Sequence, residues 1–277
     1  MGSGRAWDLV RAATERSGVR VAPLVELRDA DRIRDVVDVV WGDQAPSREI
    51  VRAMQHAGSV LYGAEAGGAL VGFVWGFVGF AEGLHLHSHM LAVVPEWQAR
   101  GVGFALKLAQ RAGSLDHGIA EVRWTYDPLV ALNARFNLVK LGAEGARFLR
   151  DFYGQMTDRL NRDDRSDRFE VRWGLNSERV IDALEGRAGR AAVEGPRLVG
   201  RSARAGGARP ERSGGEPVPG ARVAIPEDYH RLKAGDADLA RRWRDECAEV
   251  FAECFDAGLV ATSVTGDTEY VFEMPPT

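Results

Sequence analysis

The run Gln98-Ala99-Arg100-Gly101-Val102-Gly103 constrains the fold of this chain more than any other feature. The residues before it, roughly Leu84 to Val94, read as a strand that Pro95 and the polar Glu96-Trp97 end, and a helix follows from Phe104 to about Ala112. A glycine-rich turn at a helix N-terminus aims several backbone N–H groups, and the positive end of the helix dipole, at one point in space. Bare glycines let an anion such as a pyrophosphate reach those amides. An ordinary tight turn gives the same pattern, so the run alone leaves both readings open. A dinucleotide fingerprint fits poorly, because Leu106 stands where its third glycine belongs and the motif comes after three strands. No Gly-Lys-Ser/Thr follows either, which excludes a Walker loop.

Around this turn the pattern is α/β. A strand is expected at Val19–Val25, then a helix from Asp29 to Trp41 with Ile33, Val36, Val37, Val40 and Trp41 on one face. Ser47 can cap a short helix, Arg48 to His56. Strands at Ser59–Ala64 and Ala69–Gly79 flank the turn Glu65-Ala66-Gly67-Gly68. In the second of these, Val71, Phe73, Trp75 and Phe77 alternate with Gly72, Val74, Gly76 and Val78, so a helix or a ligand can approach the bare face. Further strands are expected at Glu121–Tyr126, Phe148–Phe152 and Phe169–Trp173, and helices at Leu129–Leu141 and Ser177–Glu185. The chain divides into a main domain at 1–190, a flexible Gly-, Pro- and Arg-rich linker at 191–220, and an α+β C-terminal extension at 221–277 that docks on the main domain. In that extension Asp236 can cap a long helix ending near Ala257.

The histidine strand and its phosphate turn, His89 through Gly103, resemble the acyl-CoA-binding strand, loop and helix of the GNAT acetyltransferase superfamily. The order of elements over about residues 19–155 is similar to that fold, and Trp124–Leu129, Asn133–Asn137 and Asp151–Gly154 look like a bacterial branch with a C-terminal extension. The resemblance implies a GNAT-like mixed, mostly antiparallel sheet flanked by helices, with acetyl-CoA or another acyl-CoA as co-substrate. Main-chain groups of Leu91, Ala92 and Val93 would pair with the pantetheine arm. The amides of Gln98, Ala99, Arg100, Gly101, Val102 and Gly103 would hold the pyrophosphate. A splay between the third and fourth sheet strands would set the thioester beside an acceptor amine. Many relatives have a tyrosine at the position of Leu138 to protonate the departing thiolate; leucine cannot, so either Tyr126 or Tyr153 serves or the thiolate leaves unaided.

His85, His87 and His89 alternate along their strand and share a face. His87 lies near the place where some relatives carry a glutamate base, and an imidazole suits proton removal near neutrality. The alternatives are partly buried structural histidines, or a zinc site; no metal is expected, since same-face positions about 7 Å apart converge poorly. Asp127 could be a base or bind the acceptor ammonium, or simply form the turn before Leu129. Asn133 could hold substrate or cofactor, or serve in capping or packing. His89, Trp124 and Tyr126 could line the acyl pocket, or be core, and Arg168 could clamp a carboxylate or pair within the chain.

The expected function is transfer of an acetyl or succinyl group from coenzyme A directly to the amine of a small acceptor such as an amino acid. The alternative is a non-catalytic acyl-CoA-binding or scaffold protein. A net charge of -4, from 36 basic and 40 acidic residues, gives no reason to expect nucleic acid. Cys247 and Cys254, seven apart, read as buried reduced thiols, and no stretch reaches the length of a membrane span, so a cytoplasmic protein is expected, with a homodimer left open.

Overall fold

The computed structural model describes residues 3–42, 45–158, 161–187, 194–202 and 208–275. The chain forms two compact units, Met1–Trp124 and Thr125–Thr277, rather than dividing near residue 190. Both are mixed α/β with mostly antiparallel strands, as expected.

The first unit contains α1 (Ser3–Ser17), β1 (Arg20–Pro23), α2 (Leu27–Trp41), α3 (Arg48–His56), β2 (Val60–Ala66), β3 (Ala69–Gly79), β4 (His85–Val93), α4 (Val102–Asp116) and most of β5 (Glu121–Tyr126). The strands run in the order β1-β2-β3-β4-β5, antiparallel as far as β4, whereas β4 and β5 are parallel. The bulky side of β3 packs under α2 and α3, where Phe73 and Trp75 meet Ile33, Val36, Val37 and Val51. Val71 and Val74 meet Val102 and Leu106 of α4. A Cβ on Gly76 would sit 3.1 Å from Gln110 Nε2, so the bare face of β3 admits a helix rather than a ligand. Ser47 caps α3 by accepting from Ile50 N at 3.3 Å, as its sequence implies. Helix α1, not anticipated above, buries Ala6, Val10 and Ala13 on one stripe.

The second unit begins with the end of β5 and continues through α5 (Ala131–Ala134), a π-helical segment (Arg135–Lys140), β6 (Glu144–Leu149), β7 (Arg168–Gly174), α6 (Glu178–Leu184), β8 (Arg197–Ser202), β9 (Arg209–Arg212), β10 (Ala221–Ala224), α7 (Tyr229–Gly235), α8 (Ala237–Asp256), β11 (Val260–Val264) and β12 (Glu269–Glu273). The order β7-β6-β11-β12-β10-β8-β9 weaves the C-terminal strands into the same sheet as β6 and β7. Its aromatic core stacks Phe169 against Phe251 of α8 at 4.7 Å and Tyr270 at 5.2 Å. The linker expected at 191–220 is therefore corrected among the described residues: Leu198 and Val199 are buried, and β8 pairs in parallel with β10. Gly195 and Gly220 allow this, for a Cβ on Gly195 would collide with the Gly220 carbonyl. No described helix is long and apolar enough to cross a membrane.

Candidate acyl-transfer site

Two features of the first unit set the site. The first is the fork between β4 and β5. Among the described residues these strands pair at Leu86–Val122 and His87–Arg123 and at no later register, so from Ser88 to Val93 the β5 side of β4 is an open edge of that pairing. Its other side is paired to β3 except at His89, with Leu91 opposite Val74, Ala92 opposite Phe73 and Val93 opposite Gly72. An open edge presents main-chain donors and acceptors to an extended ligand arm.

The second is the entry to α4. After a 3₁₀ turn at Pro95–Trp97 the chain passes through Ala99 with φ 59° and Gly101 with φ 87°, left-handed conformations that turn it sharply into the helix. Gly101 is the N-cap and offers no side chain, so the first-turn amides of α4 face outward from the helix end. Gln98, Ala99 and Arg100 are exposed. The Arg100 guanidinium lies 5.1 Å from the Trp97 ring centre, and Gln98 Nε2 donates to Val93 O at 2.9 Å. Gly103 has no structural need to be bare, because a Cβ there would meet only Leu91 and Val93 methyls at 3.9 Å. Its openness, in a helix where alanine is the better former by about 1 kcal/mol, leaves room for a phosphate.

His87 and His89 flank the fork on the α2 side of the sheet. Their ring centres are 6.4 Å apart, and Phe77 lies within 5.3 Å of His87 and 5.8 Å of His89. A bulge opposite Trp75–Gly76 places His89 out of register, exposed, with its ring edge-on to Trp75 at 5.5 Å. The Trp75 indole N–H beside it is buried with no hydrogen-bond partner among the described residues. Burial, followed by the charges of His89, His85 and Lys107, lowers His87 to about 4, so its imidazole is neutral at pH 7. His85 is turned away: it is buried and its Nδ1 sits 2.9 Å from Gly83 O.

Lys107 was not singled out from the sequence. It is fully buried in α4, with Nζ donating to Ser88 Oγ at 2.8 Å and Gln110 Oε1 at 3.0 Å, 3.8 Å from the centre of the Trp124 ring. Burial alone pulls it down to about 7. The signal was available, as a lone cation in the apolar run Phe104-Ala105-Leu106-Lys107-Leu108-Ala109.

The remaining candidates stand in the second unit, apart from Trp124 at its border, where Lys107 covers the ring. Asp127 is held in place by its neighbours, in keeping with the turn role that its sequence also offers. Arg244 grips both of its oxygens at 2.8 Å, and it accepts from Leu129 N at 2.9 Å. Arg244 holds the carboxyl below its ordinary value against the opposing effect of burial, so it stays ionised and fully engaged. Tyr126 is likewise core: its hydroxyl is 3.0 Å from that of Tyr270, which donates to Pro128 O. Arg168 is buried, not open to an incoming carboxylate; it donates to Asp167 O, Met156 Sδ and Asn161 Oδ1. Tyr153, half-exposed, has its hydroxyl 3.1 Å from Thr125 Oγ1, and Asn133 is exposed. Among the described residues no three His, Cys, Asp or Glu are grouped to hold a metal ion.

Residues 24–132, which take in the fork, the turn and the histidines, match the profile of the acetyltransferase (GNAT) family. Over this stretch the chain is similar to the GNAT family. That similarity supports acyl-CoA-dependent acetyl transfer with acyl-CoA as co-substrate. The match covers less than half of the chain, and residues 133–277 lie outside it. No curated protein matches the chain. Among solved structures, the ribosomal-protein-S18-alanine N-acetyltransferase of Escherichia coli is 18% identical over 57% of this chain and 95% of its own, with a TM-score of 0.47. Arabidopsis thaliana Naa50, bound to a bisubstrate analogue, is 14% identical over 56% of this chain and 97% of its own, at 0.46. The protein yncA of Salmonella typhimurium, solved with acetyl-CoA, is 16% identical over 58% of this chain and 95% of its own, at 0.45. Every one of these scores is under 0.5.

Proposed function

We propose that the protein transfers an acetyl or succinyl group from coenzyme A directly to the amine of a small acceptor such as an amino acid. The observation that carries this reading is the open edge of β4 from Ser88 to Val93, at the end of which the N-terminus of α4 opens behind Gly101. Amides of Gln98 through Gly103 hold the pyrophosphate, and main-chain groups of Leu91 to Val93 receive the pantetheine arm. The thioester then lies toward the fork, beside His87. His87, alone or through an ordered water, takes the proton that the attacking amine loses. His89 and the unpartnered Trp75 N–H, on the same face, receive the acceptor or the acyl oxygen. No cysteine competes as a nucleophile, for Cys247 and Cys254 are both buried in α8, and burial drives the Cys254 thiol up to about 12.

Four measurements test this. Thiol release from acetyl-CoA and succinyl-CoA across a panel of amino acids and small amines is expected for at least one pair; tight binding with no release for any pair leaves a non-catalytic acyl-CoA-binding protein instead. His87→Ala is expected to lower turnover by about 100-fold or more while acetyl-CoA affinity stays within about threefold. Because His87 protonates only near pH 4, the acid limb of kcat/KM should fall below about pH 5 rather than at the usual histidine value of 6.5. Gly103→Trp should weaken acetyl-CoA binding by about tenfold or more, a cost of roughly 1.4 kcal/mol, with unfolding barely changed. Calorimetry showing normal affinity in that variant ends the phosphate-turn assignment.

A further inference from the structure

The reading above assigns the departing thiolate no proton source within the first unit. Leu138 is buried and apolar, and the Tyr126 hydroxyl is spent on Tyr270. The first unit contains a group that fits the task. Ser88 is the first residue of β4 beyond its last pairing with β5, so it stands in the crotch of the fork. Its hydroxyl is bonded at 2.8 Å by the Lys107 ammonium, and among the described residues the other partners of that ammonium are the Gln110 amide oxygen and the Trp124 ring. These partners are all neutral, so the lysine carries a proton it is not obliged to keep. An arm laid along the open edge of β4 with its reactive end at the fork brings its sulfur to Ser88.

We propose that Ser88 and Lys107 form a two-residue proton relay that protonates the departing coenzyme A thiolate. The inference rests on the acyltransferase reading. The step balances as follows. The acceptor nitrogen bonds to the thioester carbon and gives its proton to His87, and the carbon–sulfur bond breaks with its electron pair going to sulfur. The sulfur takes the Ser88 hydroxyl proton, and Ser88 takes one from Lys107, which becomes a neutral amine. Exchange with solvent then discharges His87 and recharges Lys107. Lys107 is thus a positioning and supplying residue, acting on sulfur through Ser88.

The charges around Lys107 favour release. His87, on the same stretch of β4, is close enough for the two charges to disfavour each other. Arg111, one turn further along α4, is also buried, and burial lowers it to about 10. The Tyr62 hydroxyl of β2 lies against Gly113, and Asp116 at the end of the helix accepts from the Trp7 indole of α1. On the β5 side, Arg123 is held by Glu121 and the carbonyls of Ala81 and Glu82.

Coenzyme A itself is the probe, because its free thiol reports the field at the sulfur without any acceptor. Titrating the ultraviolet absorbance of the bound thiolate is expected to show ionisation about one unit or more below that of free coenzyme A. Lys107→Met should abolish the shift while affinity changes less than about threefold. Ser88→Ala, a smaller change in the same bond, should reduce it, and Lys107→Arg should retain it. An unshifted thiol in the wild type, or a shift that survives Lys107→Met, overturns the relay. A shift that survives there and disappears in Tyr153→Phe gives the role to Tyr153 and also overturns it. Failure of coenzyme A to bind at all is a separate result, and removes the acyltransferase reading itself.

Discussion

Arg244→Met is expected to cost about 3–5 kcal/mol of unfolding free energy, the usual consequence of leaving buried charge unpaired. Arg244 is 3% exposed and spans two carboxylates. Both oxygens of Asp127 are engaged at 2.8 Å, and Asp164 Oδ2 at 2.6 Å. The Tyr229 hydroxyl donates to Asp164 at 2.8 Å, while its ring lies 4.6 Å from the guanidinium carbon. Methionine fills much of the arginine's volume, so the loss reflects charge rather than a cavity. Two carboxylates then face each other in a site that cannot hydrate them, and they recover part of the cost by taking up a proton. The penalty of the variant should therefore shrink as the pH is lowered toward 4. The wild type behaves in the opposite sense. The folded Asp127 carboxyl lies below its ordinary value, so the stability it contributes is full above about pH 4 and is lost only as pH falls through its lowered folded value. Urea unfolding of both proteins from pH 4 to 8 provides the check, and a loss below about 1 kcal/mol would mean that the cluster is screened like a surface pair. Asp127→Asn should lose stability in parallel with any loss of turnover. A variant that kept full stability and lost turnover would restore Asp127 as a base.

The Asp127–Arg244 pair also shows where a sequence stops being readable. The partners are 117 residues apart, and nothing local to Asp127-Pro128-Leu129 announces an arginine on α8. Features decided within a few residues were legible. Ser47, Ser177 and Asp236 cap the helices expected of them, each accepting an amide three residues on, and the glycine turn sits between β4 and α4 as its spacing implies. Residues 191–220 misled for the same reason in reverse. Their composition is that of a linker, yet Leu198 and Val199 gain a partner strand, β10, that only the fold supplies. The fork was legible only through family resemblance, since a strand's own residues do not say where its neighbour parts from it. The expected helix at Leu129–Leu141 is a short α-helix running into a π-helical turn, a widening that periodicity at 3.6 residues cannot reveal.

Lys107→Met is expected to make the protein more stable at pH 7, by about 3–5 kcal/mol at most before the loss of its two hydrogen bonds is subtracted. In the folded state burial lowers this amine from 10.5 to about 7, whereas the unfolded chain protonates it normally. Between about pH 7 and 10.5 the unfolded state binds more protons, so the stability of the wild type rises with pH across that window. Below pH 7 both states are charged and the whole penalty of burying an ammonium is present; above 10.5 both are neutral and it is gone. Methionine has nothing to titrate. Its advantage should be constant below pH 7, decline through pH 8 and 9, and reverse near pH 10.5, where the unanswered Ser88 hydroxyl and Gln110 amide cost about 1–3 kcal/mol. Gln110 gives an independent reason to expect this sensitivity, because its Nε2 is already buried without a partner among the described residues. Paired unfolding curves from pH 6 to 10.5 decide the matter. A pH-independent difference would show that Lys107 keeps an ordinary affinity for its proton. The amine would then be an ordinary buried cation under Trp124, with no readiness to give its proton away. A destabilising charge maintained in the interior at the open fork of a transferase site, and a gain on its removal that follows the titration of one amine, are what a proton supply to the leaving sulfur requires.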